Sequence, residues 1–295
     1  MNNQINLKLQ NTIYAHDDTI RFISLFPSGN FISVSNDRSI KIFDINLNNI
    51  QTIKEAHNDN INYVDVKNEN NFITCSYQNI NFYNKISDKY ILNNNIENAH
   101  NDTIYCIKYY SNEKIISCSR DKTIKIWEEN NNKYQCITII KFIIWVNSLL
   151  ILEDKNILIS SCPEGTILWN MNNLEIIINI KEAICYNTNI LNILDEDKII
   201  VGDDIIKVIS LSEKKIVKEI NNEFRCIGIY VIKEKNMFLT GGYNNNIKIY
   251  KSDIFELIHI INNAHNDWVY GFIQLKNGFI ISYGRDRTIK VWNII

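Results

Sequence analysis

SRDKTIKIWE occupies residues 119–128, and two close copies of it, SNDRSIKIFD and GRDRTIKVWN, occupy residues 35–44 and 284–293. Each copy ends near an aromatic or apolar anchor residue, and weaker copies extend the series. Successive anchors are separated by 40, 44, 42, 40, 41 and 42 residues, and they are Phe43, Tyr83, Trp127, Trp169, Ile209, Tyr250 and Trp292. Seven units of similar length therefore cover the chain, a pattern that indicates a repeat architecture.

A second signal precedes four of the anchors. Only five alanines are present, and four of them stand directly before a histidine: Ala15, Ala56, Ala99 and Ala264. Within a unit, short Ile-rich runs alternate with turns of Asn, Asp and Lys, as in TIYCIKYY, IISCS, TIKIW and KYQCITII of the third unit. This pattern predicts four short strands in each unit.

Seven units of four strands, with Ala-His in units 1, 2, 3 and 7 and the TIKIW signal plainest in units 1, 3 and 7, resemble the WD-repeat family. The resemblance implies an all-β fold, a seven-bladed β-propeller that occupies residues 1–295 as a single domain. The chain stops after the third strand of the last unit, while residues 6–13 stand where a fourth strand precedes each later histidine. We therefore expect this N-terminal strand to complete the last blade, which would remove an open sheet edge.

Composition and charge exclude several classes of protein. Net charge is -2, so no basic excess favours nucleic-acid binding. The 7 cysteines form no CxxC pair, which favours reduced thiols over a disulfide framework or a zinc site. The N-terminal residues are polar and lack the apolar core of a signal peptide. We predict a cytoplasmic protein, with the nucleus as the alternative compartment, and no cofactor.

The apolar stretch from Cys136 to Leu152 could be taken for a membrane span. Val146 lies 23 residues before Trp169, as Ile104 does before Trp127, which places Val146 in a first strand. The stretch is then interpreted as the last strand of the third blade and the first strand of the fourth. We therefore predict no membrane span.

Sets of Ser, His and Asp recur in several units and, taken alone, would suggest a hydrolase triad. A catalytic set is needed only once, so repetition favours a structural role. The family resemblance implies buried hydrogen bonds that link Trp, Ser, His and Asp within a blade. The residues of these sets are His16, Ser33 and Asp37; His57 with Thr74; His100, Ser117, Asp121 and Trp127; and His265, Ser282, Asp286 and Trp292. Blades 4 to 6 lack a full set, and we expect them to be the more mobile blades.

In WD-repeat proteins, partners often dock on the top face, around the central channel. Four of the six Arg residues fall in slots that this resemblance assigns to the top face, together with Trp and Tyr, and these three types are enriched in binding hot spots. The predicted partner-binding residues are Arg21, Tyr105, Arg120, Trp145, Asn147, Arg225, Tyr243, Trp268, Tyr270 and Arg285. The same alignment also assigns Thr19, Asn36, Asn60, Asn62 and Thr103 to the top face.

The leading hypothesis for function is a non-enzymatic scaffold or adaptor subunit of a larger intracellular complex. Its partners would be proteins with acidic or phosphorylated segments, because Arg offers a planar fork for carboxylate or phosphate. One alternative is a substrate-recognition subunit of a ubiquitin ligase. Another is a scaffold of iron–sulfur assembly, because residues 119–136 are similar to the third blade of the WD-repeat scaffold of that process. An enzyme with a site in the central channel is the distant alternative.

Overall fold

The computed structural model describes residues 6–111, 113–131, 133–187 and 190–295. Its strands form seven four-stranded antiparallel sheets, and the only helices in these ranges are the short 3-10 segments Glu153–Lys155 and Lys233–Lys235. The chain is a seven-bladed β-propeller, as the repeat predicts. Blades 1 to 6 take four consecutive strands each, and blade 7 takes the last three strands together with the first.

The strand bounds follow the predicted units closely. In chain order the strands are β1 (Leu7–Tyr14), β2 (Ile20–Leu25), β3 (Phe31–Ser35), β4 (Ile40–Phe43), β5 (Asn49–Ile53), β6 (Tyr63–Asn68), β7 (Asn71–Cys75), β8 (Ile80–Ile86), β9 (Lys89–Ile96), β10 (Ile104–Tyr109), β11 (Lys114–Ser119), β12 (Thr123–Asn130), β13 (Lys133–Lys141), β14 (Ser148–Leu152), β15 (Ile157–Cys162), β16 (Gly165–Asn170), β17 (Ile176–Ile180), β18 (Leu191–Ile193), β19 (Lys198–Val201), β20 (Ile205–Ser210), β21 (Lys215–Asn221), β22 (Cys226–Ile232), β23 (Met237–Gly242), β24 (Ile247–Lys251), β25 (Leu257–Ile261), β26 (Val269–Gln274), β27 (Ile280–Gly284) and β28 (Thr288–Ile294). Close contacts divide the chain into unit 1, Met1–Ile23 with Asn189–Ile295, and unit 2, Ser24–Thr188.

The N-terminal strand completes the last blade within unit 1. Strand β1 pairs antiparallel with β28, with Leu9 opposite Trp292 and Ile13 opposite Ile289. The order of this sheet is β1-β28-β27-β26, so the first strand of the chain is the outer strand of blade 7. The predicted closure by residues 6–13 is therefore confirmed, with observed bounds of Leu7–Tyr14.

The apolar stretch that resembles a membrane span lies in unit 2 and is divided between two blades. Strand β13 of blade 3 runs to Lys141, and strand β14 of blade 4 begins at Ser148. No helix among the described residues is long and apolar enough to cross a membrane.

Burial follows the position of a strand in its blade. The second strands β3 and β27 are buried at every residue, whereas the outer strand β13 alternates between exposed and half-buried residues. Six of the seven cysteines are buried, and Cys136 on β13 is exposed. The Ile-rich runs thus fill the sheets, since β-branched side chains pack well on a pleated surface.

Asparagine supplies many of the left-handed turn residues. Asn156 and Asn236 end the two 3-10 segments at φ 54° and 52°, and Asn98, Asn245 and Asn263 also have positive φ. Asn tolerates this conformation better than most residues because its short side chain can hydrogen-bond locally. The Asn excess of the sequence is therefore partly explained by tight turns in a chain with few glycines.

Candidate functional site

The hydrogen-bond set of blade 3 links two strands, the turn between them and a loop of unit 2. With Asp121 ionised, the His100 Nδ1–H group donates to Asp121 Oδ2 at 2.9 Å. His100 Nε2 then accepts from the Ser117 hydroxyl at 2.7 Å, and Ser117 Oγ accepts from Trp127 Nε1–H at 2.9 Å. Asp121 also accepts the Asn101 N–H at 3.0 Å. The set ties the loop that enters β10 to the turn between β11 and β12.

Blade 7 repeats this arrangement in unit 1. His265 Nδ1 lies 2.9 Å from Asp286 Oδ2, and His265 Nε2 lies 2.6 Å from Ser282 Oγ. Trp292 Nε1 donates to the same Ser282 hydroxyl at 2.8 Å. Both sets therefore place Trp, Ser, His and Asp in one chain of hydrogen bonds, as the resemblance implies.

Burial fixes the protonation of these groups. Desolvation lowers the pKa of His100 and of His265, and it outweighs the opposing effect of the neighbouring aspartates. Burial would raise the pKa of Asp121, but hydrogen bonds from His100, Thr123 and the Asn101 N–H hold it well below its usual range. A neutral histidine between an ionised aspartate and a serine hydroxyl satisfies the hydrogen-bonding capacity of each group.

Both serine hydroxyls of these sets are occupied by hydrogen bonds within the blade. Ser117 and Ser282 are fully buried, and each hydroxyl already donates to a histidine while accepting from a tryptophan. No substrate carbonyl can approach such an oxygen without displacing the indole. The same arrangement in two blades supports a packing role.

The other two predicted sets lie in blades 2 and 1. In blade 2, His57 Nε2 lies 2.8 Å from Thr74 Oγ1, and burial lowers the pKa of His57 to about 3. For the first set, His16 and Ser33 are buried, and Asp37 accepts hydrogen bonds from the backbone and hydroxyl of Ser39 at 2.8 and 2.7 Å.

Two further sets were missed because they contain no histidine. In blade 6, Asn222 takes the histidine position: its Oδ1 accepts from Tyr250 OH at 2.8 Å, and Thr240 Oγ1 lies 3.4 Å away. In blade 4, Trp169 Nε1 donates to Ser160 Oγ at 2.8 Å. Asn222 stands 28 residues before Tyr250, which is the spacing of Ala99 and Trp127 and not that of His100 and Trp127, so alignment by spacing does not identify it as the substitute for histidine.

The lysine of the TIKIW signal also has a repeated role that the sequence did not reveal. Lys125 Nζ donates to the Ala99 carbonyl and Lys290 Nζ to the Ala264 carbonyl, both at 2.6 Å. Lys248 reaches the Asn222 carbonyl at the same distance. In blades 3 and 7 this lysine therefore binds the backbone carbonyl of the alanine in the Ala-His pair. In blade 6 it binds the carbonyl of Asn222 instead.

The top end of a blade is where the chain enters its first strand and where its second and third strands are joined. Backbone hydrogen bonds join these two segments: Arg285 N–H donates to the Trp268 carbonyl at 2.9 Å, and Arg120 N–H donates to the Thr103 carbonyl at 2.8 Å. Close approach of the segments requires glycine at Gly284, where a Cβ would overlap the Trp268 carbonyl oxygen. The predicted slots are thus placed side by side by the backbone.

In unit 1 six of the predicted partner-binding residues form a continuous cluster, which we call the arginine–aromatic ladder. Its members, in spatial order, are Arg225, Tyr243, Trp268 with Arg285, Tyr270 and Arg21. The rings of Tyr243 and Trp268 stack at 4.1 Å between centroids, and Trp268 and Tyr270 lie 6.5 Å apart. Blade 6 thus contributes the first two members, and blade 7 the next three.

Each arginine of the ladder lies over a ring. The guanidinium carbon of Arg285 is 4.4 Å from the Trp268 ring centre, that of Arg21 is 5.2 Å from Tyr270, and that of Arg225 is 6.0 Å from Tyr243. Arg21 Nη1 also lies 3.3 Å from Tyr270 OH. Cation–π contacts of this kind hold a flexible arginine in place while leaving part of its fork exposed.

The exposed arginines have loose acidic neighbours. Arg285 Nε is 3.7 Å from Asp267 Oδ2, and the two side chains are 48% and 39% exposed. Arg120 has the equivalent neighbour in unit 2, Asp102 at 3.8 Å. Exposed pairs at such distances contribute ~0–1 kcal/mol, so a carboxylate or phosphate from a partner can replace the aspartate at little cost.

A buried acidic group at the blade 6 end of the ladder was not predicted from the sequence. Asp203 is 3% exposed, and neither of its carboxylate oxygens has a well-aligned hydrogen-bond donor among the described residues. Arg225 Nε approaches Asp203 Oδ1 at 3.2 Å and Asp204 Oδ1 at 3.4 Å. Asp203 and Asp204 occupy the β19–β20 turn, which corresponds to the Arg120–Asp121 turn of blade 3.

The unit 2 slots divide between surface and interior. Arg120 is exposed, and Tyr105 and Trp145 are half-buried. Asn147, predicted to bind partners, is instead buried, and its Nδ2 group donates to the Cys185 carbonyl at 2.7 Å. Asn62 is likewise buried and donates to the Ile104 carbonyl. Both amides hold neighbouring backbone in place, so these two assignments to the surface are corrected.

Other parts of the described chain offer less chemistry. No three His, Cys, Asp or Glu side chains of the described residues are grouped so that they could hold a metal ion. A cavity of about 560 Å³ in unit 2 is lined by Asp65, Lys67, Tyr109, Glu153 and neighbours, but Asp65 is already paired with Lys108 at 3.0 Å. The ladder therefore brings together six exposed or half-buried Arg, Trp and Tyr residues that the repeat alignment assigns to one end of the blades.

Comparison with known proteins agrees with this architecture. The family model described as WD domain, G-beta repeat (WD40) matches residues 7–44, 93–128 and 255–293. A curated protein of Kluyveromyces lactis, described as Probable cytosolic iron-sulfur protein assembly protein 1, is 28% identical over 136 residues. The match covers 41% of this chain and 40% of that protein, so the chain spans about two fifths of the relative's length.

Proposed function

Starting from a seven-bladed β-propeller that carries WD40 repeats, we propose that this protein is a non-enzymatic interaction scaffold or adaptor. It would hold a segment of a partner protein at the top ends of its blades, as a subunit of a larger cytoplasmic complex. The single observation that carries the proposal is the arginine–aromatic ladder of unit 1. Arg, Trp and Tyr are the residue types that contribute most to binding energy when they cluster.

The ladder favours a partner segment that carries acidic or phosphorylated residues. Arg285 is 48% exposed beside Asp267, and its guanidinium is already oriented by the Trp268 ring at 4.4 Å. Such an arginine loses little conformational freedom when it binds a carboxylate or phosphate through its fork. Tyr243, 39% exposed and stacked on Trp268, adds an apolar surface next to that charge.

Affinity purification with quantitative mass spectrometry tests this proposal. The bait proteins are the wild type, a Trp268→Ala/Arg285→Ala double variant, and Lys235→Ala as a matched control. Lys235 is exposed in a 3-10 segment at the opposite end of blade 6. We expect a stoichiometric partner with the wild type and the control, and a loss of at least tenfold with the double variant. Equal recovery with all three baits would contradict the proposal.

A second candidate role is a scaffold in the assembly of cytosolic iron–sulfur proteins. It is favoured by the 28% identity over 136 residues to the Kluyveromyces lactis assembly protein and by the similar stretch at 119–136. Depletion of the protein should then lower the iron–sulfur content of cytosolic enzymes, which can be measured by their iron content and activity. Recovery of ubiquitin-ligase subunits in the purification would instead favour the role of a substrate-recognition subunit.

A further inference from the structure

Two aspartates at the blade 6 end of the ladder share one arginine. Arg225 approaches both Asp203 and Asp204 through the same Nε atom, at 3.2 and 3.4 Å. A guanidinium bound through its fork would offer each carboxylate two parallel hydrogen bonds, and the described contacts here do not have that form. The pair of carboxylates and Arg225 form what we call the acidic subsite, whose three groups have a net charge of -1 when ionised; Lys207 on β20 also favours the ionised form of Asp203.

The buried member of the pair lacks adequate hydrogen bonds. The side chain of Asp203 is 4% exposed, and neither oxygen accepts a well-aligned hydrogen bond from a described residue, although Arg225 Nε lies 3.2 Å from Oδ1 and the Asp204 backbone N–H also lowers the pKa of Asp203. Burial raises the pKa of Asp203 to about 6; Arg225 opposes this shift, and Asp204 adds to it. A buried carboxylate normally recovers its lost hydration through donors or a paired cation, so its environment here is incomplete.

The groups that face Asp203 come from several elements. Arg225, in the loop before β22, and Lys207, on β20, favour its ionised form, while Asp204 disfavours it. The neighbouring Cys226 thiol is buried and its pKa is raised to about 12, so it stays neutral. The Tyr243 ring lies beside Arg225 and can face a second cation with its π-system.

We propose that the acidic subsite receives a lysine ammonium or an arginine guanidinium of the bound partner segment. This inference rests on the proposed function, and it adds that the segment is basic at the blade 6 end and acidic toward Arg285. The incoming cation supplies the missing charge and the missing donors of Asp203. Arg225 contacts the same three groups, Asp203, Asp204 and the Tyr243 ring, and is an example within this chain of a cation bound by them.

Fluorescence anisotropy with synthetic peptides tests the inference. The probe is a fluorescein-labelled peptide with Glu at alternate positions, in which a single Lys or its uncharged analogue norleucine is moved through successive positions. The variants are Asp203→Asn and Asp204→Asn, with Asp253→Asn as the control. Asp253 lies on the loop at the other end of blade 6. Asp204 is 70% exposed, so Asp204→Asn should fold normally. This variant therefore tests the subsite even if Asp203→Asn disturbs folding.

We expect one lysine position to bind the wild type about tenfold more tightly than norleucine, which is ~1.4 kcal/mol. The ratio of the norleucine peptide's Kd to the lysine peptide's Kd should fall to near one in Asp203→Asn and decrease in Asp204→Asn. It should stay unchanged in Asp253→Asn. It should also fall between pH 7 and pH 5, because a protonated Asp203 no longer attracts a cation. A ratio near one at every position of the wild type, or a ratio retained in Asp203→Asn, would overturn the inference while leaving anion binding intact. Failure of every peptide to bind would count against the proposed function as well.

Discussion

Removal of the Asp121 carboxylate tests whether the Trp-Ser-His-Asp set stabilises its blade. In Asp121→Ala the His100 Nδ1–H loses Asp121 Oδ2 at 2.9 Å and keeps only Thr123 Oγ1 at 3.1 Å, while the Thr123 N–H and hydroxyl lose Asp121 Oδ1 at 3.0 and 2.6 Å. His100 is fully buried and cannot find water, whereas the Asn101 N–H is on an exposed residue and can. The cost should therefore come mainly from His100 and Thr123.

The magnitude follows from those two residues. A buried donor left unpaired costs ~1–3 kcal/mol, and Thr123, which is half-buried, should cost less. We expect Asp121→Ala to lower the free energy of unfolding by about 3 kcal/mol. Asp121→Asn, which keeps one acceptor oxygen, should lose roughly half as much.

Urea unfolding followed by tryptophan fluorescence measures this loss, since Trp127 Nε1 donates to the serine of the same set. Asp154→Ala is the matched control, because Asp154 is exposed in the 3-10 segment Glu153–Lys155 and does not have a positive φ. That variant should change stability by less than ~0.5 kcal/mol. A loss below ~0.5 kcal/mol for Asp121→Ala as well would refute the view that the set stabilises its blade.

Four further predictions concern closure, pH, the loop geometry and local stability. Deletion of residues 1–13 should lower the melting temperature by many degrees, since β28 loses its partner strand; an unchanged melting curve would disprove the closure. His57, with a pKa lowered to about 3 in the folded state against ~6.5 unfolded, should make the urea midpoint fall as pH drops below about 6. Gly284→Val should displace the Trp268 carbonyl, because a Cβ at Gly284 would overlap that oxygen, and should lower partner recovery in the affinity purification; recovery equal to that of the wild type would contradict this loop geometry. In hydrogen exchange, blade 5 should exchange fastest, since blades 4 and 6 have the Trp169–Ser160 bond and the Asn222 set that were not expected.

The fold could be predicted from the sequence because each blade repeats the same local rules. Spacing between anchors such as Trp127 and Trp292 defined the units, and the missing fourth strand of blade 7 indicated the closure by residues 6–13. The sets with histidine were predictable because Ala-His is a rare pair here. The Asn222 set was not, since an amide can replace an imidazole only where the backbone happens to place it within reach of Tyr250.

The candidate site was predictable in its members and not in its contacts. Alignment of repeats identified Arg225, Trp268 and Arg285, because the backbone places those slots at the top of each blade. Whether a slot points outward depends on side-chain rotamers and neighbours, which is why Asn147 was assigned wrongly: its amide satisfies the Cys185 carbonyl. Asp203 stands six residues before Ile209, as Asp121 stands before Trp127, so its slot could have been predicted, whereas its lack of a histidine partner depends on how the blade packs.

Site-specific photo-crosslinking tests the central claim most directly. A benzoylphenylalanine at position 243 would sit within the ladder, and one at position 254 would sit at the opposite end of the same blade. Tyr243 and Ile254 are comparable positions, 39% and 53% exposed. We predict a crosslink to a protein partner from position 243 and none from position 254. Crosslinks from position 254 alone, or from neither position while the partner is bound, would contradict a partner site on the arginine–aromatic ladder.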